Sequence, residues 1–143
     1  MKTISTRIAI QAPAERVWAE LMDFPAYPDW NPFIRRLEGS AEAGARLAAT
    51  IQPPGGSAMT VRPVVLIAHR NREFRWKGSL PIPGLFYGEH FFQLEPDPRG
   101  GTLLTHGEVF TGILVPLLGG LLKKTEEGFQ RMNEALRARC ETC

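Results

Sequence analysis

Residues 114–140, Leu-Val-Pro-Leu-Leu-Gly-Gly-Leu-Leu-Lys-Lys-Thr-Glu-Glu-Gly-Phe-Gln-Arg-Met-Asn-Glu-Ala-Leu-Arg-Ala-Arg-Cys, decide the fold. Leu114, Leu118, Leu121, Thr125, Phe129, Met132 and Leu136 recur in steps of three and four, which predicts one long helix from Leu114 to about Cys140. Pro116 suits a first helical turn, where a missing N–H costs nothing. Gly119 and Gly120 then fall inside the helix, at roughly 1 kcal/mol each relative to alanine. Leu117 and Leu122 widen the apolar face beyond what a single packing stripe needs. The first half of the helix therefore reads as lining a cavity as well as filling a core, with Leu118, Leu121 and Leu122 toward it.

Working back toward the N-terminus, the chain alternates with period two. Thr3 to Gln11 puts Ile4, Thr6, Ile8 and Ile10 on one face of a first strand. Pro13 to Met22 is a short amphipathic helix, with Glu15 in its first turn and Val17/Leu21 and Trp18/Met22 spaced four apart. Asp23 to Pro32 holds three prolines and leaves room for one further helical turn. Asn31 there reads as a turn residue whose side chain bonds nearby backbone. About six antiparallel strands follow: Ile34–Gly39, Gly44–Gln52, Ala58–His69 with an edge or bulge at Pro63, Glu73–Leu80, Leu85–Glu95 and Thr102–Thr111. One long helix then covers one face of an α+β antiparallel sheet, in a single domain spanning residues 1–143.

Composition narrows the function classes. A net charge of +2 with scattered Lys and Arg gives no footprint for nucleic acid, and Arg70-Asn71-Arg72 reads as a solvated turn. The longest apolar run, Ile113 to Leu122, falls short of the ~20 residues of a membrane span. With no signal-peptide core at the start, the expectation is a soluble, cytoplasmic protein. Cys140 and Cys143 form a C-x-x-C at a helix end, the wrong pole for a reactive thiol, and read as two free thiols.

Strand parity supplies the candidate site. A turn centred near Arg99 sets Leu94 opposite Leu104, Phe92 opposite His106 and His90 opposite Glu108. The apolar partners place His90, His106 and Glu108 on the inward face, beside an aromatic wall of Phe74 and Trp76. Three titratable groups on an apolar face need partners, because unpaired burial costs roughly 1–3 kcal/mol each. They could satisfy one another as a structural cluster, orient a mostly apolar ligand by donating to its carbonyl or hydroxyl, or ligate a metal. No H-E-x-x-H or comparable motif supports the metal reading, so no metal and no cofactor are expected. The apolar loop Leu80–Tyr87, Phe86 included, reads as a lid over the cavity or a surface for a partner subunit, a homodimer among the options.

The segments Ala12-Pro13-Ala14-Glu15-Arg16-Val17-Trp18, Tyr27-Pro28-Asp29-Trp30-Asn31-Pro32-Phe33-Ile34 and Thr105-His106-Gly107-Glu108-Val109-Phe110-Thr111-Gly112 carry a resemblance over essentially the whole chain. In that order of elements the sequence resembles the START-like (SRPBCC) superfamily, the polyketide cyclase/dehydrase and lipid-transport group. The resemblance implies a helix-grip fold, a curved sheet wrapped around the C-terminal helix with an apolar cavity between them. It implies that Trp30 and Phe33 close the cavity region, although both also suit a structural cap on the core. The expected function is binding of a small lipid-, isoprenoid- or polyketide-like ligand, with no nucleic acid and no membrane insertion. The alternatives are a cyclase/dehydratase using a His–Glu acid–base pair drawn from His90, His106 and Glu108, and an interaction or regulatory module.

Overall fold

The hairpin that parity predicts is the centre of the sheet. In a computed structural model describing residues 1–79 and 84–142, eight strands and three helices run in the order β1 (Lys2–Ile10), α1 (Ala14–Met22), α2 (Tyr27–Trp30), β2 (Ile34–Glu38), β3 (Ala48–Ile51), β4 (Met59–Val61), β5 (Val64–His69), β6 (Glu73–Ser79), β7 (Tyr87–Pro96), β8 (Thr102–Thr111), α3 (Gly119–Glu141). The strands form a five-stranded sheet, β1-β8-β7-β6-β5, and a three-stranded sheet, β2-β3-β4, antiparallel throughout. An isolated bridge from Arg46 to Val64 and the bond from Leu47 N to Pro63 O join the two at one edge. Strands β7 and β8 pair in the predicted register, Leu94 with Leu104, Phe92 with His106 and His90 with Glu108.

Two predicted elements differ. The strand expected over Ala58–His69 is two strands, β4 and β5, because Arg62-Pro63 interrupts the ladder where proline has no N–H to give. Seven strands, not six, therefore follow the short helices. The long helix starts at Gly119 instead of Leu114. The amides of Ile113 and Leu114 are already committed to the carbonyls of Gly84 and Leu85, at 3.1 and 3.0 Å. Gly112, at φ +119°, turns the chain off the strand, and a 3₁₀ turn over Val115–Leu117 holds Pro116. Leu122 N to Leu118 O is the first bond of α-helical spacing, so Gly119 and Gly120 form the first turn of the helix and not its interior.

The core lies between the concave face of the sheet and α3. Helix α3 buries Leu122, Phe129, Met132, Asn133, Leu136 and Cys140. Its lower half is the predicted stripe, whereas its upper half turns on Leu122. Gly128 allows close contact, since a Cβ there would collide with the ring of Phe33. Helix α1 lies across the end of α3, where Glu20 meets both Arg16 and Arg139. Cys140 is buried and burial pushes its thiol up to about 11, while Cys143 lies outside the described residues. Among the described residues no helix is long and apolar enough to cross a membrane.

Candidate functional site

Alternation along three adjacent strands builds the site. Trp76 on β6 faces His90 on β7, which faces Glu108 on β8; one pair along, Phe74 faces Phe92, which faces His106. His106 lies between the rings of Phe92 and Phe129, at centroid distances of 4.4 and 4.3 Å, and His90 stacks on Trp76 at 5.0 Å. Both histidines are almost wholly buried.

Each buried polar atom in this aromatic layer has a neighbour to bond. Glu108 Oε1 is 3.3 Å from His90 Nδ1; His90 Nε2 is 2.8 Å from His106 Nε2; His106 Nδ1 is 2.8 Å from Asn133 Oδ1. Asn133 Nδ2 donates to Thr6 Oγ1 at 2.8 Å, and Thr6 Oγ1 donates to the His106 backbone carbonyl at 2.7 Å. The five side chains form one unbranched chain from strand β8 through the core to β1 and back. Asn133 and Thr6 were missed as site residues. Their signal was present: Thr6 falls on the apolar face of the first strand, and Asn133 sits four residues beyond Phe129 and three before Leu136 on the helix stripe.

Burial sets the charge state. It drives the His90 pKa down to about 3, and it drives His106 well below the ordinary histidine value, with the neighbouring His90 adding to the effect. It pushes the Glu108 carboxyl up to about 8. Glu108 is the outermost member, with 16% of its side chain exposed against 1% for His90. A Cβ at Gly88 would collide with Glu108 Oε2, so the glycine makes room for the carboxyl. Gly88 pairs with Gly78 on one side and with Phe110 on the other, and Phe86 packs on Phe110 at 5.6 Å. The inner face beside Glu108 thus holds two glycines between aromatic rings, Gly88 under the carboxyl itself and Gly78 next to it, facing Pro63.

The remaining expected ligand residues are spread more widely. Phe33 is buried edge-on to Phe129 at 5.3 Å, and Trp30 packs on Tyr27 at 5.3 Å with its Nε1 buried and without a partner. Asn31 Oδ1 accepts from the amides of Phe33 and Ile34 at 2.9 and 2.8 Å, the turn role expected of it. Leu122 is buried and Leu118 partly so, but Leu121 is 44% exposed, because the helix face is rotated by one residue from the predicted stripe. Around His90 and His106 the rings of Trp76, Phe92 and Phe129 pack closely, at centroid distances of 4.3 to 5.0 Å. Two open grooves lie elsewhere, one of about 590 Å³ along Phe24, Pro28 and Leu37 and one of about 700 Å³ along Pro13, Arg72 and Gly101. Of the apolar loop over Leu80–Tyr87, residues 80–83 lie outside the described residues. Among the described residues no group of three or more His, Cys, Asp and Glu side chains could hold a metal ion.

A curved antiparallel sheet gripping a long C-terminal helix, with titratable groups on its concave face, defines a START-like, helix-grip protein. Residues 1–141 match the family described as polyketide cyclase / dehydrase and lipid transport, and the chain belongs to it. Solved structures share the fold. A START superfamily protein from Mycobacterium smegmatis superposes with a TM-score of 0.75 at 23% identity, covering 97% of each chain. Protein MLL2253 from Mesorhizobium loti gives 0.70 at 20% identity, covering 96% of this chain and 95% of that one. The di-domain ARO/CYC BexL from the BE-7585A biosynthetic pathway gives 0.78 at 13% identity, and the present chain spans 50% of its length. A comparison with curated proteins finds no match.

Proposed function

We propose that this protein binds a small hydrophobic or amphipathic molecule, of lipid, isoprenoid or polyketide character, at the open end of the sheet–helix interior. The observation that carries this reading is Glu108. It is a half-buried carboxyl at the end of a buried polar chain, and its Oε2 has no hydrogen-bond partner among the described residues. Its carboxyl covers Gly88 and borders Gly78, which carries no side chain, among Trp76, Pro63, Phe86 and Phe110. An apolar surface with one convergent polar group is the usual make-up of a small-molecule site. The binding surface therefore comprises Trp76, Phe86, Glu108 and the two glycines, with His90, His106 and Phe92 as its supporting floor. Trp30, Phe33, Leu118 and Leu122 support it from the core.

Native mass spectrometry of the purified protein tests this directly. A co-purifying apolar molecule lost in Gly78→Leu, which fills the space beside the carboxyl without displacing it, is the expected result. A protein that stays empty and takes up no apolar probe would retire the reading. A cyclase or dehydratase reading is favoured by one observation, the contact of an acid with a base at Glu108 and His90. It requires turnover that falls by roughly 10²–10⁴-fold in Glu108→Gln while binding is retained.

A further inference from the structure

The inner end of the polar chain fixes where its protons sit. The His106 backbone carbonyl can only accept, so its 2.7 Å contact with Thr6 uses the single hydroxyl proton. Thr6 Oγ1 must then accept from Asn133, which sets Nδ2 against Thr6 and turns Oδ1 toward His106. Asn133 Oδ1 cannot donate, so His106 carries its proton on Nδ1. Its Nε2 is then a bare lone pair, and His90 Nε2 must supply the hydrogen of the 2.8 Å contact between the rings. One proton remains for the junction between His90 Nδ1 and Glu108 Oε1, on whichever of the two atoms it rides. Without it, two lone pairs would face each other. In either case Glu108 Oε2 carries no proton.

We propose that Glu108 Oε2 is a hydrogen-bond acceptor for a neutral O–H donor on the ligand, an alcohol or phenol seated beside Gly78, and that Thr6 and Asn133 are positioning residues that fix this polarity through the core. The inference rests on the binding reading above and names its ligand class. It reverses the expectation from sequence that this group donates to the ligand. A carbonyl or ether oxygen would set lone pair against lone pair at Oε2, and an ammonium would bring a full charge into a largely buried layer of aromatic rings.

Two measurements on the intact protein test it. Ring ¹⁵N shifts and couplings should show His106 protonated at Nδ1, and an Nε2–H tautomer there overturns the proposal. Titration with naphthalene, 2-methoxynaphthalene and 2-naphthol should show 2-naphthol binding about tenfold more tightly than its methyl ether, one hydrogen bond's worth. Glu108→Leu should remove that preference. Glu108→Gln should restore it, because the amide gives an N–H to His90 and keeps a carbonyl outward. Thr6→Val should erode the preference and Thr6→Ser should recover it. Should Thr6→Val fail to fold, the wild-type tautomer and the probe ranking decide alone. Naphthalene binding with 2-naphthol no tighter than its ether overturns the proposal but leaves the binding reading standing. If no probe binds, the binding reading fails and this inference with it.

Discussion

The two faces of strands β6 and β7 carry similar residues in opposite states. On the outer face, Arg75 bonds Glu73 at 2.7 Å and Glu89 at 2.6 Å and lies over the ring of Phe91 at 4.7 Å. On the inner face, His90 and Glu108 meet at 3.3 Å among Trp76, Phe92 and Phe129. Successive residues of one strand thus deliver a carboxylate to an ion-pair cluster and a histidine to a neutral chain. The difference lies in the partner and in access to water. A guanidinium at a partly wet surface stabilises two carboxylates, whereas a buried imidazole costs more to charge than a carboxyl costs to neutralise. One alternating pattern places ionisable groups on both faces, and the surroundings decide which of them ionise.

The largest test breaks the inner chain. Asn133→Leu keeps the side-chain volume but leaves His106 Nδ1–H and Thr6 without their partner. Stability should fall by about 3 kcal/mol, read as a lower denaturant midpoint at unchanged m-value.

The pH profile separates the faces next. The folded His90 pKa, about 3, lies below the unfolded value of 6.5, so unfolding takes up protons and stability falls as pH drops below 6.5; His106 acts in the same direction. The folded Glu108 pKa, about 8, lies above 4.5, so unfolding releases a proton and stability falls as pH rises from 4.5 to 8. Together they place the maximum from this cluster near pH 6.5, with a decline of about 2 kcal/mol by pH 8. Glu108→Gln should flatten that alkaline limb in thermal or chemical unfolding. A limb that persists in the variant would show that Glu108 is not the group responsible.

The outer face should respond less. Arg75→Met should cost about 1 kcal/mol, shrink with added salt and leave the alkaline limb unchanged, since its partners still reach water. The smallest effect is expected beyond the sheet. Leu121→Ser, on the exposed side of α3, should shift stability by less than ~0.5 kcal/mol, which calorimetry can check.

Much of the fold was legible because it follows from local periodicity. Period two gave the β7–β8 register and placed His90, His106 and Glu108 on the inner face, and a one-residue slip would have exposed Leu104 and Phe110 with them. Period 3.6 gave the lower half of α3. Its upper half was ambiguous, because Leu117, Leu118, Leu121 and Leu122 offer two overlapping stripes. The choice fell to backbone bonds from Ile113 and Leu114 to Gly84 and Leu85, which no helical pattern records.

The sequence by itself determined the order of elements, the faces of the strands and the family likeness, since alternation, turn residues and proline positions act over a few neighbours. Only the tertiary structure decided that Thr6 and Asn133, 127 residues apart, would bond each other and complete the histidine chain. It also decided that aromatic rings would pack around its centre, and that Glu108 would be partly exposed where His90 is buried. Those outcomes depend on how closely α3 settles on the sheet, which Gly128 against Phe33 permits and which sets the burial of the polar chain.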